Sequence, residues 1–171
     1  MAVNKVRILD SQGIRARLKR MAFEIYEANY LEKELVVVGI DERGGYLAEQ
    51  LVEALREISP LEVHYAPVQM DRGTEDSDIG IELEFDFEEF AGKPIVVVDD
   101  VLYTGTTLLN VVAILLQAGP STIQTAVLID RGHRKFPVSS DFVGIELATT
   151  IQQHVSVVIA PEENHFEAFL S

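Results

Sequence analysis

The sequence predicts an α/β fold: a mostly parallel, twisted sheet with helices on both faces, carried by a single domain over residues 1–171. Two observations predict it. Leu35–Ile40 and Pro94–Val98 are unbroken apolar, β-branched runs bounded by charge or glycine, the pattern of strands buried on both faces. Segments of helical spacing lie between such runs, and strands alternating with helices call for parallel crossovers. Length bounds the answer, since 171 residues at 47% hydrophobic and 25% charged supply one proper core.

The elements follow in order. Ile14, Leu18, Met21, Ala22 and Ile25 recur at helical spacing and place a helix at about 11–29, capped by Asp10 or Ser11. Strand Leu35–Ile40 comes next, and a second helix follows Gly44-Gly45, with Leu47, Leu51, Leu55 and Ile58 on one side and Pro60 closing it. Leu61–Val68 reads as a strand. Gln69–Gly80 has no periodicity and reads as a loop, and Ile81–Phe87 alternates like an edge or hairpin strand, so a flexible loop or hood is expected at about 69–87. Strand Pro94–Val98 runs into Asp99-Asp100. Thr106–Gln117 is a helix apolar nearly all round, closed by Gly119-Pro120. Ile123–Ile129, Phe142–Leu147 and Val155–Ile159 complete the strands.

Composition excludes several classes. With no cysteine there are no disulfides, thiolate metal sites or cysteine nucleophiles. No run reaches eighteen apolar residues and no apolar run follows the N-terminal charges, so neither a membrane span nor secretion is expected, and the expected address is the cytoplasm. Net charge −14 repels polyanions and argues against nonspecific nucleic-acid binding. The charge is uneven: Lys5, Arg7, Arg15, Arg17, Lys19 and Arg20 face only Asp10 within residues 1–20. That cluster reads as a solvated helix face or as a basic patch for a partner.

Ligands of open α/β sheets bind beyond the carboxyl ends of the strands. Three strands here end in polar loops: Asp41-Glu42-Arg43-Gly44-Gly45, Asp99 to Thr107, and Asp130-Arg131-Gly132-His133-Arg134. Parallel order brings all three to one edge. Tyr103 to Thr107 offers hydroxyls, a glycine and a helix start, which make a phosphate cradle of backbone N–H groups. The spacing and lysine of a P-loop are missing. Asp99 and Asp100 suit hydroxyl groups or Mg²⁺, a cation that prefers hard oxygens. A ribose 5-phosphate satisfies both halves. The four histidines, His64, His133, His154 and His165, lack zinc-site spacing, and only His133 lies in a candidate loop.

Val96–Thr107 resembles the phosphoribosyl pyrophosphate (PRPP) signature of type I phosphoribosyltransferases. Val101–Gly105, Ala126–Arg134, Asp141–Gly144 and Ile8–Ile25 narrow the resemblance to the bifunctional family of pyrimidine operon attenuation regulators and uracil phosphoribosyltransferases. The resemblance implies catalytic roles for Asp99, Asp100 and Arg43, with Mg²⁺ held at Asp99 and Asp100. It implies that Tyr103, Thr104, Gly105, Thr106 and Thr107 wrap the 5-phosphate. Glu42, Arg43 and Gly44 would form the pyrophosphate turn, where the family often has a cis peptide. Tyr103, Asp130, Arg131, Arg134, Asp141 and Phe142 would surround the base.

Tyr103 stands where 6-oxopurine enzymes of this type carry an acid, which points to a pyrimidine; the alternative is that it merely packs at the turn. The chain also departs from the family, with Thr106 in place of a basic residue, Met70-Asp71-Arg72-Gly73 in place of Arg-Asp-Asp, and Ala148–Gln153 in place of Pro-Thr-Ser and basic residues. These departures make RNA an unexpected partner. The expected activity is Mg²⁺-dependent transfer of phosphoribosyl from PRPP to a nucleobase, uracil first. The alternatives are an RNA-binding, pyrimidine-sensing attenuator and a 6-oxopurine transferase. The apolar helix 106–117 and the resemblance together predict a homo-oligomer, most simply a dimer.

Overall fold

The computed structural model describes residues 5–71, 80–83 and 86–171. Along them run β1 (Val6–Leu9), α1 (Ser11–Ala28), β2 (Glu34–Ile40), α2 (Asp41–Ile58), β3 (Glu62–Asp71) and β4 (Gly80–Leu83). After these come β5 (Pro94–Leu102), α3 (Thr106–Leu115), β6 (Thr122–Asp130), β7 (Phe142–Glu146), β8 (Val155–Ala160) and β9 (His165–Leu170). The main sheet has the order β4-β3-β2-β5-β6-β7. Its strands from β3 to β7 are parallel and β4 pairs antiparallel at the edge. From β2 the chain moves outward to β3, and from β5 it moves the other way to β6 and β7. The strand order therefore reverses between β2 and β5, the place where such sheets bind ligands.

Helices cover both faces, as the patterning requires. The buried stripe of α1 is Ile14, Leu18, Met21, Ala22 and Ile25, and α2 buries Leu47, Leu51 and Leu55 beside it. These side chains share one core with Val37, Val96 and Leu128 of the sheet. Each fully buried leucine contributes about 1.5–3 kcal/mol by leaving water. On the opposite face α3 buries Leu108, Val111 and Leu115 against Val38, Val97 and Phe90. Asp10 caps α1, its Oδ1 accepting from Gly13 N at 2.7 Å. Ser11 instead exchanges hydrogen bonds with the backbone of Phe166 at 3.0 and 2.9 Å.

Several boundaries differ from those expected. β3 runs on to Asp71, so residues 69–71 are strand rather than loop, while residues 72–79 lie outside the described residues. The pairing of residues 69–71 with β4 supplies the backbone partners that composition could not reveal. The strand read at 81–87 is described as Gly80–Leu83, residues 84–85 lie outside the description, and Phe87 opens a 3₁₀ turn ending at Phe90. Helix α3 stops at Leu115 and tightens into a 3₁₀ turn over Leu116–Ala118 before the left-handed Gly119. Helix α2 starts at Asp41, three residues before the glycines expected to precede it.

A second, three-stranded antiparallel sheet, β1-β9-β8, joins the two ends of the chain and was not expected. The N-terminal basic residues are largely spent on it and on neighbouring carbonyls. Arg7 pairs with Glu167 at 2.8 Å, Arg15 donates to the Asn164 carbonyl at 2.7 Å, and Arg20 donates to the Gly144 carbonyl at 2.6 Å. Lys5 lies over the Phe169 ring. Among the described residues no helix is long and apolar enough to cross a membrane.

Candidate active site

The three polar segments follow β2, β5 and β6, which are neighbours in the sheet, so their meeting at one edge is a consequence of strand order. The acidic pair lies within β5 rather than in the loop after it. Asp99 Oδ1 accepts from Asp100 N and Asp100 Oδ1 from Val101 N, both at 2.9 Å, which fixes the two carboxylates along the strand. Burial, and then the charge of Asp100 beside it, push the Asp99 carboxyl well above the usual carboxylate range. A bound cation would favour its ionised form, so these are the side chains that could hold a metal.

Past Leu102 the chain turns at Gly105, whose φ of +86° lies in the left-handed region. A Cβ there would sit 2.4 Å from Val138 Cγ1, so conformation and space both demand glycine. Helix α3 starts at the next residue, and the Thr104 and Thr106 hydroxyls bond each other at 2.9 Å. Asp99 and Val101–Leu108 enclose a hollow of about 190 Å³ at this helix N-terminus. Small hydroxylated residues, the leading amides of a helix and its dipole suit a phosphate.

Across the switch point stands the first turn of α2. Gly44 lies against β5 so closely that a Cβ would come within 2.7 Å of the Val98 carbonyl oxygen. Gly39 and Gly45 are in similar contact, a Cβ on Gly39 falling 2.5 Å from Gly45 Cα. This approach brings Arg43 Nη1 to 3.7 Å from Asp100 Oδ2, with the Arg43 side chain 60% exposed and able to reach a ligand. Glu42 is exposed beside it. The described residues contain no cis peptide; the turn instead places Asp41 at φ +52°. Asp41–Arg43, Tyr46, Tyr65, Gln69 and Val157–Ile159 are among the walls of a cleft of about 550 Å³.

The third segment is tied to the second by main-chain bonds, Arg131 N to the Leu102 carbonyl and Lys135 N to the Thr104 carbonyl, at 3.0 and 2.9 Å. Asp130 accepts from Gly132 N and pairs with Arg134. Arg131 is buried and engaged by the protein: Nε donates to Thr149 Oγ1 at 3.1 Å, Nη2 to the Gln153 carbonyl, and the guanidinium sits over Tyr103. The His133 ring meets Tyr103 edge-on and reaches the Thr149 carbonyl. Residues 130–134 and 146–149 line a hollow of about 400 Å³.

Asp141 and Phe142 do not come to this edge. Asp141 Oδ2 accepts from Thr125 N at 2.8 Å, five residues upstream of Asp130 on β6, and Phe142 is buried in the core. Because β7 is parallel to β6, its N-terminal residues lie toward the far edge. The family-like motif at Asp141–Gly144 starts β7 instead of lining the base pocket that the resemblance implies. The contacts of Asp41, Thr149 and Gln153 join segments distant in sequence, which no local pattern signals.

The fold has counterparts among known proteins. The family model described as "Phosphoribosyl transferase domain" matches residues 6–162. The chain belongs to the phosphoribosyltransferase family. Among phosphoribosyltransferase relatives, a protein of Fusobacterium nucleatum named Bifunctional protein PyrR is 40% identical, with 93% of each chain covered. The protein of that name from Brevibacillus brevis is 39% identical, with 92% of each chain covered. A hypoxanthine-guanine phosphoribosyltransferase structure from Bacillus anthracis matches at TM-score 0.74 and 15% identity, over 98% of this chain and 99% of that one. The Trypanosoma cruzi hypoxanthine phosphoribosyltransferase in complex with IMP matches at TM-score 0.71 and 22% identity, over 82% and 80%. The two structures share the phosphoribosyltransferase fold, and the sequence relatives place this enzyme with the PyrR proteins.

Proposed function

We propose that this phosphoribosyltransferase moves the ribose 5-phosphate unit of PRPP onto a pyrimidine base, uracil first, and releases pyrophosphate. The observation that carries the reading is the acidic pair of β5 placed between the Gly105 turn and Arg43, which stands 3.7 Å from Asp100. In that order the edge meets a 5-phosphate, a ribose diol and a pyrophosphate in turn. The anomeric carbon passes through an oxocarbenium-like state, and the protein holds base nitrogen, carbon and leaving group in line. Arg43 and the first amides of α2 neutralise the leaving group. No side-chain nucleophile is needed.

Mg²⁺ fits the donor set. Asp99 and Asp100 offer hard oxygens, and among the described residues no group of three His, Cys, Asp or Glu side chains gathers to hold a metal, so substrate and water oxygens would complete the shell. When bound, the cation supplies positive charge beside the ribose and pyrophosphate. Tyr103 supports a pyrimidine, since it leaves no acid at that place for a purine nitrogen. The engagement of Arg7, Arg15 and Arg20 within the chain favours the transferase over an RNA-binding regulator.

The experiment is a screen of the common nucleobases with PRPP and Mg²⁺, following pyrophosphate release. Uracil should give the highest kcat/KM, and chelation of Mg²⁺ should abolish turnover. Release with no base, or preference for hypoxanthine or guanine, rejects the reading. The proposal includes a homo-oligomer, since Leu109 and Val112 of α3 are half-buried and Leu116 just beyond it is exposed. A monomer at micromolar concentration in light scattering would reject that part.

A further inference from the structure

β2 ends at Ile40, paired with Val68, but β3 continues to Asp71. Beyond Val68 its far side pairs with β4, Met70 opposite Ile81. On its near side no strand remains, and the Asp41 side chain takes the strand's place, Oδ1 accepting from Met70 N at 2.8 Å. Asp41 makes this reach from φ +52°, a region that Gly, Asn and Asp tolerate best. Two residues on, Arg43 approaches Asp100, and Gly44 rests on β5. The first turn of α2 is therefore fastened on both sides, to β5 by glycine contact and to β3 by one carboxylate.

An acid is an odd choice here. The turn faces the place where a polyanion is proposed to bind, and like charge disfavours it. Asp41 is better explained by what it fastens than by what it touches.

We propose that Asp41 is a positioning residue for pyrophosphate: its bond to Met70 and its left-handed backbone hold Arg43 and the leading amides of α2 in the binding geometry. The proposal rests on the reading of this turn as the pyrophosphate site. It assigns Asp41 no contact with substrate.

Three substitutions separate the contributions. Asp41→Asn keeps an acceptor oxygen and tolerates the left-handed region. Asp41→Gly keeps the backbone and removes the acceptor, and Asp41→Ala removes both. The readouts are the KM for PRPP, the KM for the base, kcat, the Kd of inorganic pyrophosphate by calorimetry, and hydrogen exchange at the Met70 amide. Asp41→Asn should stay within about threefold of wild type throughout. Asp41→Gly should raise the PRPP KM and the pyrophosphate Kd by about tenfold, the scale of one lost hydrogen bond, with the base KM unchanged. Asp41→Ala should do so by more, and Met70 exchange should quicken in these two variants only. If exchange quickens while pyrophosphate affinity holds, the bond is merely structural and the proposal fails. It fails equally if Asp41→Asn matches Asp41→Ala. A wild-type chain that binds pyrophosphate but does not consume PRPP rejects the functional reading alone, and the Kd series still judges Asp41.

Discussion

The Arg131 guanidinium sits over the Tyr103 ring, 4.1 Å from its centroid, and so joins the end of β6 to the end of β5. With Nε and Nη2 bound to Thr149 and Gln153, Arg131 is committed to protein partners. These contacts tie Tyr103 to the 147–153 segment. Where the family resemblance implies a direct base contact, they favour a role for Arg131 exerted through Tyr103.

Arg131→Lys should therefore act on the base side. Lysine keeps the charge and loses both the planar fork and the flat face that covers the tyrosine. The KM for the base should rise by about tenfold, matching the upper range of a cation–π contact, with the KM for PRPP nearly unchanged. Steady-state kinetics with each substrate varied in turn checks this, and an equal rise in both would refute it.

Asp100→Asn should fold normally, because the amide oxygen can still accept from Val101 N. Turnover should drop about 10²-fold or more, the scale of removing one positioned electrostatic group. Thermal unfolding and pyrophosphate release are the two measurements. A mutant with wild-type rates would remove the acidic pair from the mechanism.

For RNA the expected outcome is negative. With net charge −14 and Arg7, Arg15 and Arg20 each paired within the chain, the protein should show no sub-micromolar affinity for a pyrimidine-leader hairpin at about 0.15 M salt. Filter binding across a salt series checks it. Tight, sequence-dependent binding that persists as salt rises would restore the regulator.

Acid should loosen the small sheet before the large one. The Glu167 carboxyl is held below the usual carboxylate range, first by its hydrogen bond from Arg7 and further by His165. A lowered folded value means stabilisation that is present above the unfolded value near 4.5 and is lost as pH falls through the folded one. Hydrogen exchange in β1 and β9 should quicken in that window, relative to β5. In Glu167→Gln the same amides should be fast at neutral pH and gain no further acid response from this position.

Local pattern made the large sheet legible. Leu35–Ile40 and Pro94–Val98 could be little else than buried strands, and α1 buries the five side chains its spacing picked out. The turn into α3 was legible for a similar reason, since Thr104 to Thr107 are contiguous and chemically distinctive. The small sheet was not, because Val6 pairs with Leu170 across nearly the whole chain and a four-residue strand has no period to detect. Nor was the fastening of Met70 by Asp41, which exists only because β3 outruns β2. Asp141 and Phe142 failed differently: sequence likeness cannot tell which end of a strand a residue occupies.

The glycine contacts between α2 and the strands beneath it bear on how such a site diversifies. Gly44 against Val98 and Gly39 against Gly45 set the spacing of Arg43 from Asp100 by main chain touching main chain. No side-chain packing has to be conserved to keep that interval. Exposed residues of the turn such as Glu42 are thus free to be exchanged over generations while the gap beneath them stays constant. An acid such as Glu42 can then arise at a turn proposed to face an anion without the frame being rebuilt.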